Sequence, residues 1–113
     1  MNSTDVIGAL YAVLESRKAA DPAQSYVATL YAKGIDGILK KVGEEAAETL
    51  IAAKNPDDAA LVHEVADLWF HTLVMMVARG VPLSALTAEL ARRQGRSGLE
   101  EKASRGQPSA PDR

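Results

Sequence analysis

At 113 residues the chain has room for one domain, with a core but only a modest share of its surface buried. A formal net charge of -2 gives no overall field to draw nucleic acid, and the absence of cysteine excludes disulfides, thiolate metal sites and a cysteine nucleophile. The opening MNSTDVIGAL lacks the basic start and long apolar run of a secretory signal, so a cytoplasmic protein is expected.

In chain order, Ser3, Thr4 or Asp5 is placed to cap a first helix whose apolar face is Val6, Ile7, Leu10, Val13 and Leu14. It should stop before Asp21-Pro22, because a residue preceding proline resists the helical conformation. Ser25 can cap a short second helix, SYVATLYAK, ended by Gly34. A third should run from about Asp36 to Lys54, with Leu39, Val42, Ala46, Leu50 and Ala53 as its apolar stripe. Asn55-Pro56 breaks the chain, and Asp57 or Asp58 caps a fourth helix. Gly80-Val81-Pro82 separates that helix from a last one, about Leu83 to Gln94, with Leu83, Leu86 and Leu90 inward. No stretch alternates as a strand would, so the expected class is all-α, a bundle of about four to five helices over residues 1–105. Residues 106–113, rich in Gly, Pro and Ser among their neighbours, read as a disordered tail.

The fourth helix is the informative one. In LVHEVADLWFHTLVMMVA, Leu61 to Ala78, apolar residues occupy nearly every side, yet Glu64, Asp67 and His71 fall within a sector of roughly 60° at about 100° per residue. A helix apolar all round is normally buried, and a carboxylate there must be paired, protonated or bound to a cation. The four ionisable residues inside this segment argue against a membrane span. One short chain has too few helices to surround so much apolar surface, so a homodimer or higher homo-oligomer is expected to complete the core.

The preceding helix supplies matching chemistry. Glu45 and Glu48 are three residues apart, as are Glu64 and Asp67, so each pair shares one helix face. A short turn makes the two helices antiparallel neighbours, and the pairs can then face each other as a pocket of oxygen ligands. Magnesium suits that pocket, since it takes oxygen ligands and retains waters or substrate oxygens; without a cation the carboxylates would repel one another. Taken alone, Glu44, Glu45 and Glu48 would read as a solvated face, with Glu44 and Glu45 within reach of Lys40 or Lys41 one turn earlier. Zinc fits poorly for lack of HExxH or cysteine, and a di-iron site for lack of Glu-x-x-His. His71 can orient a carboxylate, touch substrate phosphate or simply be a satisfied core residue; His63 falls off the stripe and reads as structural.

A carboxylate-held magnesium at the mouth of a helical bundle suits phosphoric anhydride hydrolysis, the ion neutralising phosphate oxygens while water attacks. Lys33, Lys40, Lys41, Arg92, Arg93, Arg96, Lys102 and Arg105 are the cations available to balance such a substrate. Neither a GxxxxGK[ST] loop nor a GxSxG nucleophile is present.

The pattern EEAAE, Glu44 to Glu48, followed by EVAD, Glu64 to Asp67, resembles the EExxE and ExxD signature of the all-α nucleoside triphosphate pyrophosphohydrolases. The segments SYVATLYAKG, ILKKVGEEAAET, EVADLWFHTLV and GRSGLEEKASR together resemble the phosphoribosyl-ATP pyrophosphatase family of histidine biosynthesis, over about Val6 to Arg105. The resemblance implies magnesium-dependent hydrolysis of 1-(5-phosphoribosyl)-ATP to 1-(5-phosphoribosyl)-AMP and pyrophosphate, the second step of that pathway. It makes Glu45, Glu48, Glu64 and Asp67 metal ligands, with Glu44 a further ligand or an acid just behind them, and it assigns Lys40 and Lys41 to phosphate contacts. Phe70 departs from the tyrosine that the family often carries there. The cyclohydrolase domain fused to this activity in some organisms is not in this sequence, so a separate enzyme is expected to take the product. Two other readings stay open on the residues alone: a house-cleaning enzyme acting on free nucleoside triphosphates, and a non-catalytic helical dimerisation module.

Overall fold

The computed structural model describes residues 3–95 and Lys102. Among these there are four α-helices and no strand: α1 (Ser3–Ser16), α2 (Tyr26–Ala53), α3 (Asp58–Ala78) and α4 (Leu83–Gln94), with a short 3-10 turn at Arg17–Ala19. The protein is all-α. The chain falls into two compact units, residues 1–81 and 82–113. The side chains of Ser3, Thr4 and Asp5, the expected caps of α1, lie outside the described set, as does the tail at 106–113.

Local chemistry sets the helix ends. Ser25 is extended (φ -144°, ψ 123°) and accepts from the Ala28 amide at 3.2 Å, starting α2; Asp57 does the same for α3 through the Ala60 amide, also at 3.2 Å. At the far end of α3, Gly80 adopts φ +72°, and the amides of Gly80 and Val81 bond the carbonyls of Val77 and Met76 at 3.0 Å each. That is a Schellman closure, which only a residue tolerating positive φ makes without strain. Pro82 then begins the second unit as the N-cap residue of α4.

The short second helix and the longer third one expected on either side of Gly34 form the two arms of α2, separated by a kink where Gly34 is non-helical: φ +81°, ψ 177°, a region open essentially to glycine alone. The helix-stop signal was therefore genuine, and its outcome is a bend between two arms of one element. The core of the first unit takes one fully buried side chain from each part: Leu14 of α1, Leu30 and Ile38 on either side of the kink, and Val74 of α3.

Two expected faces are corrected. On α1 the inward residues are Tyr11 and Leu14, while Val6 and Val13 are exposed. Tyr11 donates its hydroxyl proton to the Val81 carbonyl, and Tyr31 donates to the Leu14 carbonyl at 2.8 Å, so both phenols tie helix ends together. On α2 the buried positions after the kink are Ile38, Glu45 and Ala52, not the Leu39 and Leu50 stripe, both of which are exposed. Those three recur every seven residues, so a glutamate stands where the helix period calls for a core side chain. In the second unit Leu90 is likewise exposed.

Candidate active site

Glu45 is 4% exposed and packs where α2 meets α3. The Lys41 ammonium, one turn earlier on the same helix, lies 3.3 Å from Glu45 Oε1. That contact is the main reason Lys41 is held above the ordinary lysine value; partial burial opposes it and Tyr26 adds to it. Glu45 Oε2 is buried with no hydrogen-bond partner. A carboxylate oxygen left unpaired in that position costs roughly 1–3 kcal/mol or more.

The ligand geometry is also in place. Oxygens of Glu45, Glu48 and Glu64 lie within 4.8 Å of one another, so the two helices do converge their acids. Thr49 fastens the junction: its hydroxyl is 2.8 Å from the Glu45 carbonyl and 3.1 Å from the Glu64 carbonyl, one proton shared between two helices. Asp67 joins through a second group. Its carboxylate, that of Glu64 and the His63 ring again offer atoms within 4.8 Å of one another, with His63 Nε2 3.3 Å from Asp67 and 3.8 Å from Glu64. Glu64 therefore belongs to both groups. An all-oxygen set with one buried, unpartnered atom fits a hard divalent cation.

The neighbouring cavity, about 380 Å³, is lined by Tyr26, Lys41, Glu45, Asp67, Phe70 and His71. His71 is buried, with Nδ1 2.7 Å from the Asp67 carbonyl and Nε2 2.9 Å from the Tyr26 hydroxyl. A carbonyl only accepts, so Nδ1 carries the proton; in the neutral ring Nε2 then accepts from Tyr26. Phe70 and Tyr26 both meet the His71 ring edge-on, with centroids 5.3 and 6.0 Å apart.

The structure thus brings together Glu45, Glu48, Glu64, Asp67, Lys41 and His71. Glu44 and Lys40 are exposed and join neither acidic group. Both ring nitrogens of His71, expected to touch phosphate, are engaged by the Asp67 carbonyl and the Tyr26 hydroxyl. Arg92 and Arg93 lie in the separate second unit, where both bond Glu89, at 2.6 and 3.0 Å. Lys33 and Lys102 are exposed, and Arg96 and Arg105 lie outside the described residues. Tyr26 and Thr49 join the site without a signal in the sequence pattern, and His63, expected to be structural, lies exposed beside the acids, a contact signalled by its i, i+4 spacing to Asp67.

A family model described as phosphoribosyl-ATP pyrophosphohydrolase matches residues 7–94, nearly all of the described chain. The chain belongs to the phosphoribosyl-ATP pyrophosphohydrolase family. Relatives named phosphoribosyl-ATP pyrophosphatase bear this out along most of their length. The one from Methylococcus capsulatus is 54% identical over 101 residues, covering 89% of this chain and 96% of the relative. That from Chromobacterium violaceum is 55% identical, covering 89% and 94%. That from Hydrogenovibrio crunogenus is 50% identical over 112 residues, covering 96% and 99%. Such agreement over nearly whole chains makes the acidic junction part of a pyrophosphohydrolase fold and sets aside the non-catalytic dimerisation module.

Proposed function

We propose that this chain hydrolyses 1-(5-phosphoribosyl)-ATP at the α-β anhydride, yielding 1-(5-phosphoribosyl)-AMP and pyrophosphate, as the second step of histidine biosynthesis. The reading rests on Glu45, whose buried Oε2 has no hydrogen-bond partner and whose carboxylate offers an oxygen within 4.8 Å of oxygens of Glu48 and Glu64 at the α2–α3 junction. Glu45, Glu48, Glu64 and Asp67 would hold Mg2+. A bound Mg2+ supplies charge neutralisation at the phosphate oxygens and a water of lowered pKa. The chain's own residues do the rest. Lys41, with Lys40 beside it, places positive charge next to the acids for the phosphates, and Thr49 fixes the spacing between the helices. His71 holds the Asp67 segment and Tyr26 in register.

The site is one face of α3; the opposite face supports a second part of the reading. Val6, Leu10, Val62, Val65, Trp69 and Phe70 are among the residues lining an apolar groove of about 580 Å³ between α1 and α3, and Val62 and Trp69 are more than half exposed. We assign this surface to a second copy of the chain, which covers it in a homodimer. By length and composition α3 could cross a membrane, but Glu64, Asp67 and His71 within it serve the site, which favours protein over lipid as the cover and the cytoplasm as the location. The product would pass to a separate cyclohydrolase.

The test is a product assay with Mg2+, resolving pyrophosphate from orthophosphate. Pyrophosphate from phosphoribosyl-ATP is the expected result. Orthophosphate, or a preference for ordinary deoxynucleoside triphosphates, would reject the assignment.

A further inference from the structure

The kink at Gly34 has a consequence for the site. Tyr26 and Lys41 line the same cavity, yet a straight helix would hold them about 22 Å apart at 1.5 Å per residue. Gly34, at φ +81° and ψ 177°, turns the first arm of α2 back so that Tyr26 reaches His71 of α3 at 2.9 Å. Ser25, capping the Ala28 amide, fixes the first turn on which Tyr26 stands. Three separate devices therefore bring one phenol to the acidic cavity.

The hydrogen bonds decide what that phenol offers. His71 Nδ1 is committed to the Asp67 carbonyl, so in the neutral ring Nε2 is an acceptor and takes the one proton Tyr26 has. The Tyr26 oxygen is left as an acceptor. Among the described residues it accepts no hydrogen bond, and Lys41, which lines the same cavity, is engaged by Glu45. The ring is 52% exposed, at the rim of the cavity.

An acceptor-only oxygen repels phosphate and calls for a donor. On a nucleotide the donors are the ribose hydroxyls and the base amino group, and the ribose is the one attached directly to the α-phosphate. We propose that Tyr26 is a substrate-recognition residue whose oxygen, oriented by His71, accepts a hydrogen bond from a hydroxyl of the ATP ribose. His71 is the positioning residue that keeps the oxygen in acceptor form. The inference rests on the hydrolase reading above for the placement of the α-phosphate beside the acids.

The test uses the full chain and its Tyr26→Phe variant, which removes the oxygen and keeps the ring. KM is measured for phosphoribosyl-ATP and its 2′- and 3′-deoxy forms in the ATP ribose, and Kd by calorimetry for α,β-methylene-ATP and its deoxy counterparts. The native protein should bind one deoxy form about 5-fold more weakly than the parent, the worth of one ordinary hydrogen bond. Tyr26→Phe should bind the parent as weakly as that deoxy form, with the preference gone and kcat changed less than KM. His71→Leu should erase the preference with Tyr26 in place; if it fails to fold, Tyr26→Phe carries the test alone. An unchanged preference in Tyr26→Phe overturns the proposal. The calorimetric arm needs no turnover, so failure of the hydrolase reading and failure of the ribose contact give different results.

Discussion

The two faces of α3 are incomplete in opposite ways. Toward α2 the helix presents Glu64 and Asp67 beside a buried carboxylate oxygen that lacks a partner; toward α1 it presents Val62, Val65 and Trp69 around an apolar groove. The first face holds more carboxylates than Lys41 alone can balance, and the second leaves large apolar side chains exposed. In the proposed reading a cation with its nucleotide answers the one, and a second copy of the chain answers the other. Phe70 lies at the boundary, lining both the cavity and the groove.

If that division holds, the largest effect belongs to the acidic face. Glu45→Gln should cut turnover by more than about 100-fold, since even partners behind metal ligands commonly cost 10–100-fold. The thermal midpoint should stay the same or rise, because repulsion with Glu48 and Glu64 is relieved. Joint loss of turnover and fold would make Glu45 a structural acid and break the comparison. On the apolar face, Trp69→Glu should weaken self-association by at least about 100-fold, because a charge would be buried without a partner. Sedimentation across a concentration series reads that change, and an unchanged association would move the interface elsewhere.

Smaller effects sharpen how the faces are positioned. Gly34→Ala meets open space around the added carbon, so its cost is backbone strain alone, about 1–3 kcal/mol by urea unfolding. Ser25→Ala, which deletes the cap of α2, should cost about 1 kcal/mol in the same measurement. The smallest is a pH effect. Burial, helped by Tyr11 and Glu15, pushes the Tyr31 phenol up from 10.0 to about 12. Between those values the unfolded chain gives up this proton while the folded one keeps it, so stability falls as pH rises from about 10 to 12. Urea midpoints over that range, with tyrosinate absorbance as a second readout, check the sign.

Much of this was legible in the sequence. The caps at Ser25 and Asp57, the break at Gly80-Val81-Pro82 and the pairing of Glu45 and Glu48 with Glu64 follow from local chemistry and helical spacing. What was not legible depends on how segments meet. Gly34 announces a helix boundary, but neither periodicity nor propensity tells that the first arm folds back far enough to bring Tyr26 to His71. The inward face of α2 was misread for a related reason. Hydrophobicity points to Leu39 and Leu50, whereas the chain buries Glu45, a polar residue inside at the expense of the local pattern. His63 was judged by its angle from the stripe, although its spacing to Asp67 put the ring within reach of the carboxylate.

The most direct test of the central claim is a calorimetric Mg2+ titration of the native chain and of Glu45→Gln, with α,β-methylene-ATP present. The account predicts saturable Mg2+ binding to the native chain that the substitution abolishes or weakens by more than about 10-fold. Equal Mg2+ binding by both proteins, or none by either, would contradict it.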